Sequence, residues 1–231
     1  TTLFNYISGS KEKVGNYTGV TVDIKKATFK TKGYTFNFYD LPGTYSIHPN
    51  SKDEYVVLET LFQQEKERPN ALIYVADATN LERHLLFFSQ LYDLKIPMLL
   101  AINMTDLAEQ QGIKIDIKAI EKQYNIPTIA ISARTGEGIN DLLDTFDHLT
   151  QQVVSNRTPI HRLSAHEKDI IKELSADKEL NYASLLEAHH QAKSIERKTA
   201  LKLQVNETMQ RYEHIQHIIQ KSVKHPTSEE L

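Results

Sequence analysis

The sequence predicts an α/β protein, a mostly parallel sheet flanked by helices and followed by a small all-α unit. Three observations predict it. Short, continuously apolar runs alternate with amphipathic stretches through residues 1–155. These runs have the length and composition of strands buried on both faces. Beyond Asn156-Arg157-Thr158-Pro159, which reads as a linker, no strand-like run recurs. The β-α-β-α order argues for parallel strands covered by helices.

Taken in order, Thr2–Ser8 reads as a helix, with Leu3, Phe4 and Ile7 at helical spacing. Thr21–Lys30 and Tyr34–Tyr39 alternate apolar and polar residues about Thr31-Lys32-Gly33, a hairpin signal. That hairpin is expected to add one antiparallel edge strand to the sheet. Ser51–Lys66 is helical through Tyr55, Leu58, Leu61 and Phe62. Ala71–Ala76 is a buried strand, Leu81–Leu94 a helix, and Pro97–Ile102 a second buried strand. Ile115–Tyr124 is a helix, Pro127–Ile131 a third strand, and a helix runs from Ile139 to about Val154. Ala165–Ala176, Tyr182–Ala192 and Leu203–Lys221 are amphipathic helices of mixed charge. The division expected is 1–155 and 156–231.

Composition narrows the functional classes. The chain has 231 residues, 40% hydrophobic and 25% charged, as in an ordinary globular protein. A formal charge of -3 gives no electrostatic footprint for nucleic acid. Cysteine is absent, which removes disulfides, thiolate zinc sites and thiol nucleophiles. No run of about 18 apolar residues occurs, and Thr-Thr-Leu-Phe-Asn-Tyr-Ile at the start is not a signal peptide.

In open α/β sheets, ligands bind at the carboxyl ends of strands, so the residues just after each strand matter most. Asp40-Leu41-Pro42-Gly43 is a D-x-x-G. Its carboxylate suits magnesium, and its glycine lets a backbone N–H approach a γ-phosphate. The plainer reading is a Pro-Gly turn. In Asn103-Met104-Thr105-Asp106 the Asp106 carboxylate can accept from guanine N1–H and the N2 amino group, while Asn103 ties the loop to its neighbours. Adenine has no donors at those positions, and the unpaired carboxylate then disfavours ATP. The plainer reading is a helix cap at Thr105 or Asp106. In Ser132-Ala133-Arg134-Thr135-Gly136-Glu137-Gly138 the Ala133 N–H is placed for guanine O6; the alternative is a glycine-rich turn entering a helix. Gly15-Asn16-Tyr17-Thr18-Gly19-Val20-Thr21 reads as a flexible loop whose Thr21 offers a hydroxyl to magnesium and an N–H to the γ-phosphate, or is an ordinary loop threonine.

Each motif alone is weak. Together, in this order and at these spacings, they point to one nucleotide site and resemble the Ras-like, translation-factor-like (TRAFAC) branch of P-loop GTPases. The phosphate-cradling G-x-x-x-x-G-K-[ST] is not within the sequence. In that class a stretch like Thr1-Thr2-Leu3-Phe4-Asn5 follows the loop's lysine directly. Thr1 then holds the magnesium-binding Ser/Thr position, and the expectation is a natural chain that begins upstream of Thr1.

The wording narrows the resemblance further. Thr1–Asn5, Val14–Val22, Asp40-Leu41-Pro42-Gly43-Thr44-Tyr45-Ser46, Ser51-Lys52-Asp53-Glu54 and Asn103-Met104-Thr105-Asp106 resemble the cytosolic portion of the ferrous iron transport protein B (FeoB) family. Arg211-Tyr212-Glu213-His214-Ile215 is similar to that family's helical domain. The resemblance implies a GTP- and GDP-binding module with Mg²⁺, at the cytoplasmic face of a bacterial inner membrane, regulating or driving Fe(II) uptake through a permease region of the same polypeptide. It implies nucleotide contacts at Thr1, Thr2, Gly15, Tyr17, Val20, Thr21, Asp40, Gly43, Asn103, Met104, Asp106, Ser132, Ala133 and Arg134, with Thr1, Thr21 and Asp40 on the metal. It implies a helical domain that stabilises the GDP-bound state. It also implies K⁺ activation, with carbonyls at Gly15 and Tyr17 sharing the ion, and oligomers in some settings. Tyr17 stands where the family usually has tryptophan.

For hydrolysis, Thr21, Gly43 and Thr44 are the candidates. Many small GTPases place a glutamine after D-x-x-G to orient water. Thr44 is too short for that, so slow intrinsic hydrolysis is expected. The ten histidines, His189-His190 above all, suit solvated surface better than a metal site, because adjacent helical residues diverge. Asp53 and Glu54 are better explained as an acidic first helical turn than as iron ligands. Two other classes stay open here: a soluble ribosome- or RNA-associated GTPase, and an inert interaction module.

Overall fold

Helix α1 (Thr2–Ser8) buries Leu3 and Phe4, as the helical spacing predicts. The structure, a computed structural model, describes residues 2–9, 13–16, 23–30, 35–48, 52–62, 68–149, 157–174, 179–191 and 197–227. Strands β1 (Lys13–Asn16), β2 (Asp23–Lys30) and β3 (Thr35–Asp40) form an antiparallel sheet in that order. The hairpin holds, with Phe29 opposite Phe36 and Lys25 opposite Asp40; its turn, 31–34, lies outside the described residues. Two expectations change. Gly15 and Asn16 belong to β1, paired with Ile24 and Asp23, not to a loop; the edge offered by the eight-residue β2 outweighs their poor strand propensity. Nor does the hairpin extend the parallel sheet. Among the described residues no ladder joins them, and the link is apolar. Phe36 and Phe38, on one face of β3, lie 5.5 and 5.4 Å from the Phe146 ring.

Helix α2 (Lys52–Leu61) buries Val56, Val57 and Leu61. The parallel sheet comprises β4 (Leu72–Asp77), β5 (Met98–Asn103) and β7 (Thr128–Ala130), in that order. Its connections are α3 (Leu81–Asp93), α4 (Thr105–Gln110), the short strand β6 (Lys114–Ile115) and α5 (Ile117–Tyr124). Helix α6 (Ile139–Leu149) follows β7. Helices on both faces bury β5 from Met98 through Ile102, and its alternation divides two cores. Met98, Leu100 and Ile102 face the cluster containing α3, whereas Leu99 and Ala101 join Leu3, Ile139 and Phe146. Each large side chain so buried contributes about 1.5–3 kcal/mol.

The C-terminal helices are α7 (Ala165–Leu174), α8 (Tyr182–Gln191) and α9 (Arg197–Ser222). Helix α9 starts six residues before the predicted Leu203 and packs along α3 and α5. Ile215 and Ile218 of α9, Tyr182 and Leu185 of α8, and Ile171 of α7 belong to the same apolar cluster as Leu85 and Phe88 of α3. The expectation of no strand after Asn156 is corrected by β8 (Val223–Lys224), which pairs antiparallel with β6. Two residues carry no alternation to detect. Their pairing is set by α9, whose Ser222 carbonyl accepts from Asp116 N–H at 2.7 Å.

Candidate functional site

The carboxyl ends of β5 and β7 carry two neighbouring loops. Asn103 ends β5 beside Asp77 of β4. Met104 then adopts the left-handed conformation (φ 65) and begins α4 without a side-chain cap, so the capping roles considered for Thr105 and Asp106 are not taken up. Instead Thr105 Oγ1 donates to Ile131 O at 2.9 Å. Ala133 N–H donates to Asn103 Oδ1 at 2.9 Å. Asn103 therefore ties the two loops as expected, and does so with the N–H expected for guanine O6. Asp106 Oδ2 accepts from Arg134 Nη2 at 2.5 Å and Nε at 3.2 Å. Those bonds, the first cause, with further help from Ser132, hold the Asp106 carboxyl below the ordinary carboxylate range.

The Ser132–Gly138 loop is shaped by glycine. Gly138 has φ 72, and a Cβ there would lie 2.2 Å from Ala130 O. Gly136 has φ 88, and its Cβ would strike the Tyr6 hydroxyl at 2.4 Å. No ordinary side chain fits at either position. The ring of Tyr6, on α1, thus packs directly on this loop.

The loop after β3 is built differently. Asp40 is the last residue of β3, and Gly43 follows three residues on. A Cβ on Gly43 would meet nothing within 4 Å, and its φ does not require glycine. The open space before it fits a ligand passing close to the backbone, and the oxygen donor of Asp40 suits Mg²⁺. Thr44 Oγ1 donates to Ser46 O at 2.9 Å, so its hydroxyl serves the loop itself. Arg83 stacks 3.9 Å from the Tyr45 ring centre. Ile47 is buried, and its N–H donates to Gln90 Oε1 at 2.8 Å.

Gln90 leads into a largely buried polar network joining α3 to α8 and α9. Its Nε2 donates to Glu207 Oε1 at 3.1 Å, and His48 Nε2 lies 3.1 Å from Glu207 Oε2. Tyr182 also donates to Glu207. Arg211 donates to Glu207 at 2.8 Å, to Ser89 O at 2.7 Å and to Asp93 Oδ2 at 2.9 Å. Asp93 in turn accepts the backbone N–H groups of Ile160 and His161, at 2.8 and 2.9 Å. Burial pushes the Glu207 carboxyl up, but His48 and Arg211 outweigh it and hold it far below the ordinary range. Sequence reasoning missed this network. The available signal was Gln90 and Asp93, polar residues in the apolar second half of α3.

The structure thus brings Asn103, Met104, Asp106, Ser132, Ala133 and Arg134 together, and places Asp40, Gly43 and Thr44 on the loop after β3. Thr2 is exposed on α1, and Gly15 lies in β1. Thr1, Tyr17, Val20 and Thr21 lie outside the described residues, as do the side chains of Asp53, His189 and His190. Among the described residues, no three His, Asp or Glu side chains gather as a metal site. No described helix is long and apolar enough to cross a membrane.

A mostly parallel sheet with these loops at its strand ends, followed by packed helices, has the architecture of a P-loop G domain with a helical appendage. A family model, ferrous iron transport protein B, matches residues 1–146, and the chain belongs to that family. Over 146 residues it is 40% identical to the Fe(2+) transporter FeoB of Escherichia coli K12, covering 62% of this chain and 18% of that protein. It is equally similar, 40% over 145 residues, to an Fe(2+) transport protein A/FeoB fusion protein of Porphyromonas gingivalis, covering 63% of this chain and 17% of that one. The chain thus spans less than a fifth of these relatives. The cytosolic domain of T. maritima FeoB in its GMPPNP form superposes with a TM-score of 0.82 at 26% identity, covering 96% of this chain and 94% of that one. The L. pneumophila FeoB cytosolic domain gives 0.77 at 30% identity, with the same coverages.

Proposed function

We propose that this chain is the guanine-nucleotide module of a ferrous iron transporter, binding and hydrolysing GTP at the cytoplasmic face of a bacterial inner membrane to regulate or drive a permease region of the same polypeptide. The observation that carries the reading is Asp106 in the first turn of α4, just beyond β5, beside the Ser132–Gly138 loop that Asn103 ties to the end of β5. This is a carboxylate poised for two donors on a base edge. The T. maritima structures described as GMPPNP and GDP forms support the same ligand class.

In this reading Asp106 selects guanine, Asn103 sets the distance between the two loops, Met104, Ser132 and Ala133 surround the base, and Arg134 stands at the rim of that pocket. Ala133 N–H reaches guanine O6 only by sharing or leaving Asn103 Oδ1. Asp40, with Thr1 and Thr21, would hold Mg²⁺, which neutralises charge on the phosphate oxygens. Gly43 N–H meets the γ-phosphate, Thr2 and Val20 flank the phosphates, and Thr21 closes over them. Thr44, engaged with Ser46, shapes the loop rather than holding the attacking water, which is consistent with slow turnover. Residues 1–155 form the nucleotide unit and 156–231 the helical unit. Through Gln90 and Glu207 the helical unit steadies Ile47 and His48, and with them the Gly43 loop. An RNA- or ribosome-associated role is disfavoured by the mild acidity of the chain.

The test is hydrolysis of GTP and of ATP by the full-length protein in potassium and in sodium. GTP-selective turnover, faster in potassium, is expected, with carbonyls of Gly15 and Tyr17 on the ion. Equal turnover of ATP would overturn the base assignment. Indifference to the cation would remove the potassium role alone.

A further inference from the structure

The carboxylate that would read a guanine base is already engaged. Arg134 directs two N–H groups, from Nε and Nη2, at the single oxygen Oδ2 of Asp106. The guanine edge also offers two donors, N1–H and the N2 amino group. Arg134 occupies one of the two carboxylate oxygens that the guanine edge would need, so the two sets compete for Oδ2 and cannot both be satisfied in full.

Which partner can move is settled by its surroundings. The Asp106 side chain is only 18% exposed and sits in the first turn of α4, whose start is fixed by the Thr105–Ile131 and Asn103–Ala133 bonds. The Arg134 side chain is 73% exposed. Among the described residues its guanidinium is hydrogen-bonded to Asp106 alone. The carboxylate is held in place and the guanidinium is tethered only by the carboxylate.

Resting on the guanine reading of this site, we propose that Arg134 is a displaceable stopper of the base pocket, seated on Asp106 when no nucleotide is bound and swung into solvent when guanine enters. The exchange gives Asp106 two donors for the two it loses. A base lacking those donors would have to expel Arg134 and return nothing, so the stopper works with Asp106 in rejecting adenine. An exposed ion pair is weak, and binding that must first open it is reduced by the closed fraction. The expected effect is therefore modest, about two- to five-fold in affinity.

The experiment is titration and stopped-flow mixing of full-length protein with N-methylanthraniloyl-GDP, for wild type, Arg134→Gln and Arg134→Lys, across a range of ionic strength. The exposure of Arg134 makes both variants compatible with the fold. Arg134→Gln is expected to bind about two- to five-fold tighter at low salt. The gap should close as salt screens the wild-type pair, a response that a merely structural residue would not give. Arg134→Lys keeps the charge but loses the two-pronged grip, and should also bind tighter. Weaker binding by both variants would make Arg134 a nucleotide contact and overturn the stopper while leaving the guanine reading intact. Equal binding at every salt concentration would overturn it too. No binding by wild type or variants would overturn the guanine reading itself, and the stopper with it.

Discussion

Two arginine–carboxylate pairs stand in this molecule in opposite circumstances. Arg134, largely exposed on a loop, meets Asp106, whose side chain is mostly covered in the first turn of α4. Arg211 meets Asp93 and Glu207 where the arginine and Asp93 side chains are fully enclosed and Glu207 nearly so. The chemistry is the same and the physical roles differ. An exposed pair is worth little and exchanges readily, which suits a place where a ligand must enter. A buried pair is hard to form from solvated ions and harder to break, because a lone charge left inside is severely penalised. It suits a place where α3 must keep one arrangement against α8 and α9. Arg211 still leaves Nη2 without a hydrogen-bond partner among the described residues, its guanidinium lying 4.5 Å from the Tyr182 ring centre.

The largest effect expected from breaking this comparison is at the buried end. Arg211→Met removes the cation and strands Asp93 and Glu207, and should lower stability by about 3–5 kcal/mol. The remaining donors, Gln90, Tyr182 and the backbone N–H groups on Asp93, argue for the lower part of that range. Urea unfolding of this chain, read by the midpoint at constant slope, measures it. A loss below about 1 kcal/mol would mean that the network is better hydrated than its burial indicates.

Acid sharpens the comparison next, in two stages. Burial lowers the His84 and His214 pKa values below the ordinary 6.5. A base with a depressed folded pKa stays neutral in the folded chain while the unfolded chain takes up the proton. Stability is therefore full above about 6.5 and falls as pH drops below it. Glu207 is an acid whose folded pKa lies far below its ordinary 4.5. Its contribution is present above 4.5 and is lost as pH falls from there towards the folded value. Glu167, lowered despite burial by His161 and Ser164, adds to the second stage. In unfolding midpoints measured against pH, His214→Gln should flatten the first stage and Glu207→Gln the second. A His214→Gln profile parallel to wild type between pH 7 and 5 would remove His214 from the account.

The same contrast explains how much the sequence could tell. The helices and buried strands were legible because their apolar residues repeat at 3.6 or run continuously, as in Met98–Ile102. The loops were legible because D-x-x-G and Asn103-Met104-Thr105-Asp106 each follow such a strand. Features that exist only through tertiary pairing were not legible. Val14-Gly15-Asn16 does not look like a strand until β2 lies beside it, and Val223-Lys224 pairs only because α9 ends near Asp116. Glu207 and Arg211 are ordinary residues of an amphipathic helix until α3 brings Gln90 and Asp93 to meet them. The residues proposed for the base pocket do lie together, but sequence order could not show that Asn103 accepts from the Ala133 N–H or that Arg134 covers Asp106.

The smallest effect tests the exposed end. If the Arg134–Asp106 pair serves entry rather than stability, Arg134→Gln should shift the melting temperature by no more than about 2 °C in a protein this size. Thermal unfolding without nucleotide, beside Arg211→Met under the same conditions, gives the measurement its scale. Arg211→Met should shift far more, since each 1 kcal/mol moves the midpoint by about 2–4 °C here. A large drop for Arg134→Gln would mean that the loops after β5 and β7 depend on that pair to hold together. Arg134 could then no longer swing aside without loosening Asn103 and Asp106, and the guanine edge would meet a carboxylate that had lost its position along with its partner.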